Sequence, residues 1–465
     1  MRMKKTISPI VWLIVFVMSL SACRITRPYA SPDVRTDELY RLNTLPDTTN
    51  MAFVSWRELF TDTVLRSLIE EGIRSNLDLQ AAYTRIEQAR AFYEQSRLAF
   101  FPSVNASAGP TIQRLSEAQT RGFAAPSRLY QLSVNASWEI DIWGRLRSTR
   151  RANLASLLQT EWAARAVQSN LVADIANLYF TLLSLDEQMR ITQAQVESRR
   201  QTVDVMRALK EAAIVTGAAV VQSEANLYAA EVTLPDIRQN IMVNENALSI
   251  LLGRAPDSIR RTAISVQQTT ALLRTGVPAQ LLSNRPDVVQ SEYAFRNAFE
   301  LTNVARTNFY PALTITASGG LTNTSLGSFV SGSSLLGSVG AGIVQPIFNQ
   351  GLNRARLRVA LAQQQEALLN FQNSLLNAGR EVTNALFSHQ TALEKMAVRD
   401  GQLLALERSV EYSQELVRYG FANYTEVLQA QQSLLGAQLG RINDRLQQLQ
   451  SVVNLYSALG GGWRE

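Results

Sequence analysis

From Tyr130 to Asp141 apolar and polar residues alternate without a break. Tyr130, Leu132, Val134, Ala136, Trp138 and Ile140 stand against Gln131, Ser133, Asn135, Ser137, Glu139 and Asp141. A period of two over this length predicts a strand with one oily and one wet face. The stretch after Pro102 alternates in the same way, with Val104, Ala106, Ala108 and Ile112 against Ser103, Asn105 and Ser107. Both stretches recur later in the chain. After Pro311, Leu313, Ile315, Ala317 and Leu321 oppose Thr314, Thr316, Ser318 and Thr322; on the return, Val339, Ala341 and Ile343 oppose Ser338, Gly340 and Gly342. Each pair flanks a polar loop, 113–128 or 323–334, and ends at a glycine, Gly144 or Gly351. The motif is therefore an internal duplication. Strands of roughly 10 to 12 residues have the length of tilted membrane-spanning strands. They equally suit two soluble hairpins with one face on a core. Four strands are too few to close a barrel, and an open edge in lipid is prohibitive, so a membrane reading requires an oligomer that pools strands.

A helical period follows each hairpin. No Pro or Gly interrupts the chain from Arg145 to Gly217, and some 70 residues at 1.5 Å each make a rod of roughly 100 Å. Leu171, Ile175, Leu178, Leu182, Leu185, Met189, Val196 and Val203 step by threes, fours and sevens, the spacing of a coiled-coil seam. Leu227, Leu234, Ile237, Leu248 and Leu251 supply a returning partner, which Pro235 should kink. The second rod carries Leu361, Leu368, Leu375, Val382, Met396, Leu403, Val410 and Val417 in one heptad register, interrupted by His389. It ends at Gly420, and a last helix carries Leu435, Leu439, Ile442, Leu446, Leu449, Val453 and Tyr456. Shorter helices precede each hairpin, and Arg285-Pro286-Asp287 marks a start, with Pro in the first turn and an acid at the positive helix end. Gly217 and Gly420 read as left-handed helix C-caps.

Composition narrows the class. Of 465 residues 46% are hydrophobic and 18% charged, with 13 Pro and a net charge of +6. Arg2, Lys4 and Lys5 precede an apolar run from Ile10 to Leu20, a secretory signal too short for a transmembrane helix. Without those three the balance is about +3, too mild for a nucleic-acid partner. The signal ends in Leu20-Ser21-Ala22-Cys23, which resembles a bacterial lipobox, so cleavage before Cys23 and its acylation are expected. Cys23 is the sole cysteine and His389 the sole histidine, which removes a Cys-His metal cluster or nucleophile pair. Neither a nucleophile elbow nor a P-loop is present. Glu139 and Asp141 read as a carboxylate pair on one strand face, the one arrangement with a hydrolytic precedent, but no aromatic sugar platform accompanies them. No enzyme, cofactor or metal is expected.

Several short stretches then carry a resemblance. Trp56-x-x-Leu59-Phe60 with Asp62, Trp138-Glu139-Ile140-Asp141-Ile142-Trp143-Gly144-Arg145, Arg285-Pro286-Asp287-Val288, Phe309-Tyr310-Pro311, Gln345-Pro346-Ile347-Phe348 with Gly351, Arg418-Tyr419-Gly420 and Leu459-Gly460-Gly461-Gly462-Trp463 occur in this order across nearly the whole mature chain. Together with the lipobox, the chain resembles the outer membrane factors, the TolC-like channels of tripartite efflux pumps, in their lipoprotein branch. The resemblance implies an α+β membrane channel in the Gram-negative outer membrane. Its homotrimer would pool four strands per chain into one 12-stranded β-barrel, continued into the periplasm by a long α-helical barrel. A periplasmic adaptor and an inner-membrane pump of the resistance-nodulation-division type are its implied partners. The implied sites are adaptor-contact tips at Val215, Thr216, Gly217, Arg418, Tyr419 and Gly420, and a periplasmic gate at Thr425, Glu426 and Gln429. Gln429 stands where the family often has an aspartate. A lipid-facing strand surface is expected at Leu132, Val134, Trp138, Leu313, Ile315 and Ile343.

The reading divides the chain into a signal peptide (1–22), a lipid-anchored extended linker (23–55), a first repeat (56–252, hairpin 100–141, helices 145–252), an inter-repeat segment (253–284), a second repeat (285–456, hairpin 310–348, helices 351–456) and a tail (457–465). The function implied is a passive exit duct for small molecules such as drugs. The alternatives are a coiled-coil spacer lipoprotein without a pore and a channel for type I protein secretion.

Overall fold

The computed structural model describes residues 25–36, 39, 50–114, 126–268, 275, 278–419, 421 and 424–464. The signal, Cys23, part of the linker (37–38 and 40–49), the centre of the first hairpin loop and Gly420 lie outside the described residues. In chain order the elements are α1 (Trp56–Leu59), α2 (Thr63–Ser75), α3 (Leu77–Leu98), β1 (Ser103–Arg114), β2 (Pro126–Ile140), α4 (Arg145–Glu211), α5 (Gly217–Glu231), α6 (Thr233–Leu251), α7 (Leu281–Asn284), α8 (Pro286–Thr307), β3 (Ala312–Asn323), β4 (Leu335–Val344), α9 (Leu352–Arg418) and α10 (Tyr424–Ala458). No described helix is long and apolar enough to cross a membrane.

Two compact units are present. The first comprises the described part of Met1–Asp33 with Ile86–Thr160 and Ser291–Phe371. Its sheet is a single antiparallel meander, β1-β2-β3-β4, so the two expected hairpins are joined by β2–β3 pairing. The register puts every alternation in phase. Val104, Ala136, Ala317 and Val339 share one face, as do Trp138, Ile315 and Ala341. Asn105, Asn135 and Ser318 share the other, where hydroxyls pair across strands, Ser107 with Ser133 at 2.9 Å and Ser318 with Ser338 at 2.7 Å. Beside the sheet, α8 is tied to the start of α4 by Arg151–Glu300 (2.7 Å) and by Asn297 donating to the Ala152 carbonyl (2.7 Å). The N-terminal segment is docked too. Asn303 exchanges two hydrogen bonds with the Arg27 backbone, and Tyr29 packs edge-on against Phe299 at 5.5 Å.

The second unit comprises Val34–Arg85, Glu161–Gln290 and Gln372–Glu465. Here Val196 and Val203 of α4 meet Leu227 and Ala230 of α5, with Leu234 against them, along the expected seam. Arg207–Glu224 (2.7 Å) and Arg200–Glu231 (3.0 Å) bracket it. The break attributed to Pro235 falls at Val232, one turn earlier. A proline ring clashes with the carbonyl four residues back, and that residue is Glu231, the last of α5. Pro235 then sits in the first turn of α6, where it is tolerated. The expected heptad of the second rod is only partly buried. Leu375, Val382 and Leu403 are inside, whereas Leu361 is 44% exposed. Alanines 378, 385 and 392 complete the buried line, so the helices approach over small residues, which hydrophobic counting undervalues. His389 lies in this line with Nδ1 3.1 Å from Ser451 Oγ.

Candidate functional site

The sheet is the first site. Among the described residues its apolar face has no protein cover: Val134 at mid-strand is 46% exposed, Leu132, Trp138 and Ile343 are exposed, Leu313 and Ile315 are half-exposed, and no described member of that face is buried. A soluble hairpin would bury these residues first. Edges β1 and β4 are both open within the chain.

Strands pass into rods through two related turns. Gly144 and Gly351 both have positive φ, 81° and 80°. The alternation places Asp141 in the strand, but β2 ends at Ile140. Its carboxylate accepts the Leu146 and Arg147 N–H groups (3.0 Å each) and the Arg147 side chain (3.0 Å), capping α4. Glu139 is held by both forks of Arg145. The carboxylate pair is thus consumed by helix capping and ion pairing. Trp143 donates to the Pro311 carbonyl (2.7 Å) and tilts against Tyr310.

In the second unit an unanticipated knot centres on Asp62. One oxygen accepts the Val64 and Leu65 N–H groups (2.8 and 3.3 Å); the other accepts Tyr179 Oη (2.8 Å), Thr262 Oγ1 (2.5 Å) and Gln267 Nε2 (2.7 Å). Burial by itself would raise the Asp62 carboxyl, but the bonds from Thr262, Gln267, Tyr179 and Val64 outweigh it and hold it below the usual range. Burial pushes the Tyr179 hydroxyl up to about 12. The knot joins α2, α4 and the inter-repeat segment. Arg285 makes a second one: its buried guanidinium donates to Asp287 (2.7 and 3.0 Å), Glu381 (2.7 Å) and the Ala458 carbonyl (2.8 Å). In sequence, Arg285-Pro286-Asp287 signals a helix start and carries part of the resemblance, but not this junction. The closing glycines serve this corner. A Cβ on Gly460 would lie 2.4 Å from the Asn284 carbonyl, and one on Gly461 2.3 Å from the Tyr456 ring.

The rod tips correct an expectation. Gly217 is not a C-cap; it opens α5. The left-handed residue is Ala213 (φ 58°), followed by a bond from Ile214 N–H to the Leu209 carbonyl (2.9 Å), the six-to-one closure of a Schellman turn. Phe421 N–H bonds the Leu416 carbonyl in the same way (2.9 Å). The offset that relates Gly144 to Gly351 (351 − 144 = 207) also relates the two six-to-one closures, Ile214 to Phe421 (421 − 214 = 207), and sets Gly217 against Tyr424. Matching glycine to glycine along the sequence slips the tips by about one turn. The most exposed apolar groups at the tips are the equivalent Ile214 (69%) and Phe421 (82%). Thr216, Gly217, Arg418 and Tyr419 are exposed and Val215 half-buried. On α10 Thr425, Glu426 and Gln429 are exposed while Val427 and Ala430 are buried, so the three polar residues share the outward side of the first turns. Replacing Ala213 by Gly should relieve a left-handed strain of about 1 kcal/mol, partly offset by the freer unfolded chain. A small rise in thermal midpoint is expected; a fall would contradict the strain.

Known proteins match the chain over most of its length. The family described as "Outer membrane efflux protein" matches residues 68–254 and 277–461, one stretch on each repeat. The toluene efflux pump outer membrane protein TtgF of Pseudomonas putida is 32% identical over 422 residues, 90% of this chain and 87% of the relative. The cation efflux system protein CusC of Escherichia coli is 29% identical over 458 residues, 96% and 97%. The open-state crystal structure of the MtrE outer membrane channel of Neisseria gonorrhoeae superimposes with a TM-score of 0.84 at 25% identity, covering 95% of this chain and 99% of that one.

Proposed function

Since the chain belongs to the outer membrane efflux protein family, we propose that it is the outer-membrane exit duct of a tripartite efflux system, a homotrimer served by a periplasmic adaptor and an inner-membrane pump of the resistance-nodulation-division type. The uncovered apolar sheet face carries this reading. Lipid covers that face, and three four-stranded sheets joined edge to edge leave no open strand in the membrane. Leu132, Val134, Trp138, Leu313, Ile315 and Ile343 meet the acyl chains, and Cys23 bears the lipid anchor. The tips at Val215–Gly217 and Arg418–Gly420 receive the adaptor, with Ile214 and Phe421 as the apolar contacts beside them. Thr425, Glu426 and Gln429 line the periplasmic aperture.

The duct works without a catalytic step. TtgF is named for toluene and CusC for a cation, two solutes of opposite polarity on one architecture. Selection therefore belongs to the pump, and small molecules such as drugs are the cargo. Purified trimer in a planar bilayer should give stepwise conductance, increased by Glu426→Ala with Gln429→Ala. Silence of both proteins in a bilayer that accepts them would overturn the reading.

A further inference from the structure

The polar face of the sheet is short of charge. From Ala312 to Val344 there is no Asp, Glu, Lys, Arg or His at all. On β1 and β2 the register places Ser103, Asn105 and Ser107 beside Ser137, Asn135 and Ser133, again uncharged. Glu139 is the one charged side chain among the described positions of that face, and Arg145 neutralises it through both nitrogens of its fork. Arg128, the other charge on β2 outside Glu139, falls on the opposite face, paired in register with Ile112.

We propose that the β-barrel section of the duct is indifferent to the charge of its cargo, and that the Glu139–Arg145 pair keeps it so. This rests on the duct reading, which makes the polar face the lumen. A pore selects by charge when rings of like side chains focus a field between low-dielectric walls. Here the wall offers hydroxyls and amides, whose dipoles turn to suit either sign. Glu139 repeated in a trimer would form such a ring of three, but each carboxylate is matched by a guanidinium. Arg145 opens α4, where the helix dipole disfavours a cation; no acid lies in the first turn of that helix. Its placement is accounted for by Glu139, not by the helix. Removing the acid takes from each Arg145 the carboxylate it is bonded to and makes the periplasmic end of the barrel more positive by one charge per chain.

The test uses the full-length trimer in vesicles with Ser137→Cys or Thr316→Cys, cross-strand partners on the polar face. The parent protein without the added cysteine is the blank. Each thiolate is titrated with cationic trimethylammonium-ethyl and anionic sulfonato-ethyl methanethiosulfonate, which form a mixed disulfide and release methanesulfinate. Relative to a small free thiol, the ratio of the two rates should stay within about threefold of unity. Adding Glu139→Gln should shift it toward the anionic reagent by about threefold or more. A bias of about tenfold either way with Glu139 intact, or no shift on Glu139→Gln, overturns the proposal. Failure of both reagents at both cysteines, in trimer of normal yield, overturns the duct reading itself and the proposal with it.

Discussion

Val134→Arg abolishes the membrane-inserted trimer, whereas Asn135→Arg, one residue along the same strand, leaves it assembled. Val134 sits at mid-strand between Ala106 and Gly319 in register, on the face that no described part of the chain covers. An arginine at the middle of a lipid-facing strand costs about 2–4 kcal/mol. Three copies in one barrel bring roughly 6–12 kcal/mol, comparable with the whole stability of an ordinary domain. Asn135 points the opposite way, toward Asn105 and Ser318, where an arginine remains in water. The measurement is the heat-modifiable trimer band in outer-membrane fractions. Ile315→Arg should behave as Val134→Arg does. A soluble coiled-coil spacer predicts no difference between the two faces, so trimer at parental level in both Val134→Arg and Ile315→Arg would decide for the spacer.

What could be read in the sequence follows from how each feature is encoded. The strands announced themselves because period-two alternation needs only neighbouring residues. The rods did so because each is a helix of 67 residues without a proline. Joining of the hairpins through β2–β3 was invisible, since register between segments 173 to 193 residues apart leaves no local trace. The seam of α9 was half seen: its leucines were counted, its alanines were not. The tips mislead because glycine is the usual marker of a left-handed turn, whereas the first repeat accepts strain at Ala213. Asp141 shows the opposite failure. Its parity continued the strand, but its carboxylate was claimed by the next helix, and nothing in the alternation distinguishes those fates. The knots around Asp62 and Arg285 draw partners from segments far apart in the chain. Both residues lay inside the short stretches that carried the family resemblance, which flagged them without saying what they do.

Asp62→Ala should be among the most destabilising single changes outside the sheet. The substitution removes the acceptor of five bonds at once: two backbone N–H groups at the start of α2, and the side chains of Tyr179, Thr262 and Gln267. Losing the cap alone costs about 1 kcal/mol. Tyr179 is fully buried and Gln267 nearly so, and their donors gain little water in return. Donors left unmet near an absent carboxylate cost about 1–3 kcal/mol each when buried. Asp62 is itself partly exposed and water reaches the gap, so a total of about 2–4 kcal/mol per chain is expected. Asp62→Asn, which keeps an oxygen for the cap, should fall between parent and Asp62→Ala. The pH dependence follows from the lowered carboxyl. A group whose folded pKa is depressed gives stability that is complete above its unfolded value, about 3.9 for aspartate, and is lost as pH falls through the folded value. The gap in unfolding midpoint between parent and Asp62→Ala should therefore be widest at neutral pH and close below about pH 4. A gap that stayed constant into acid would mean that Asp62 stabilises the fold by shape, not by charge.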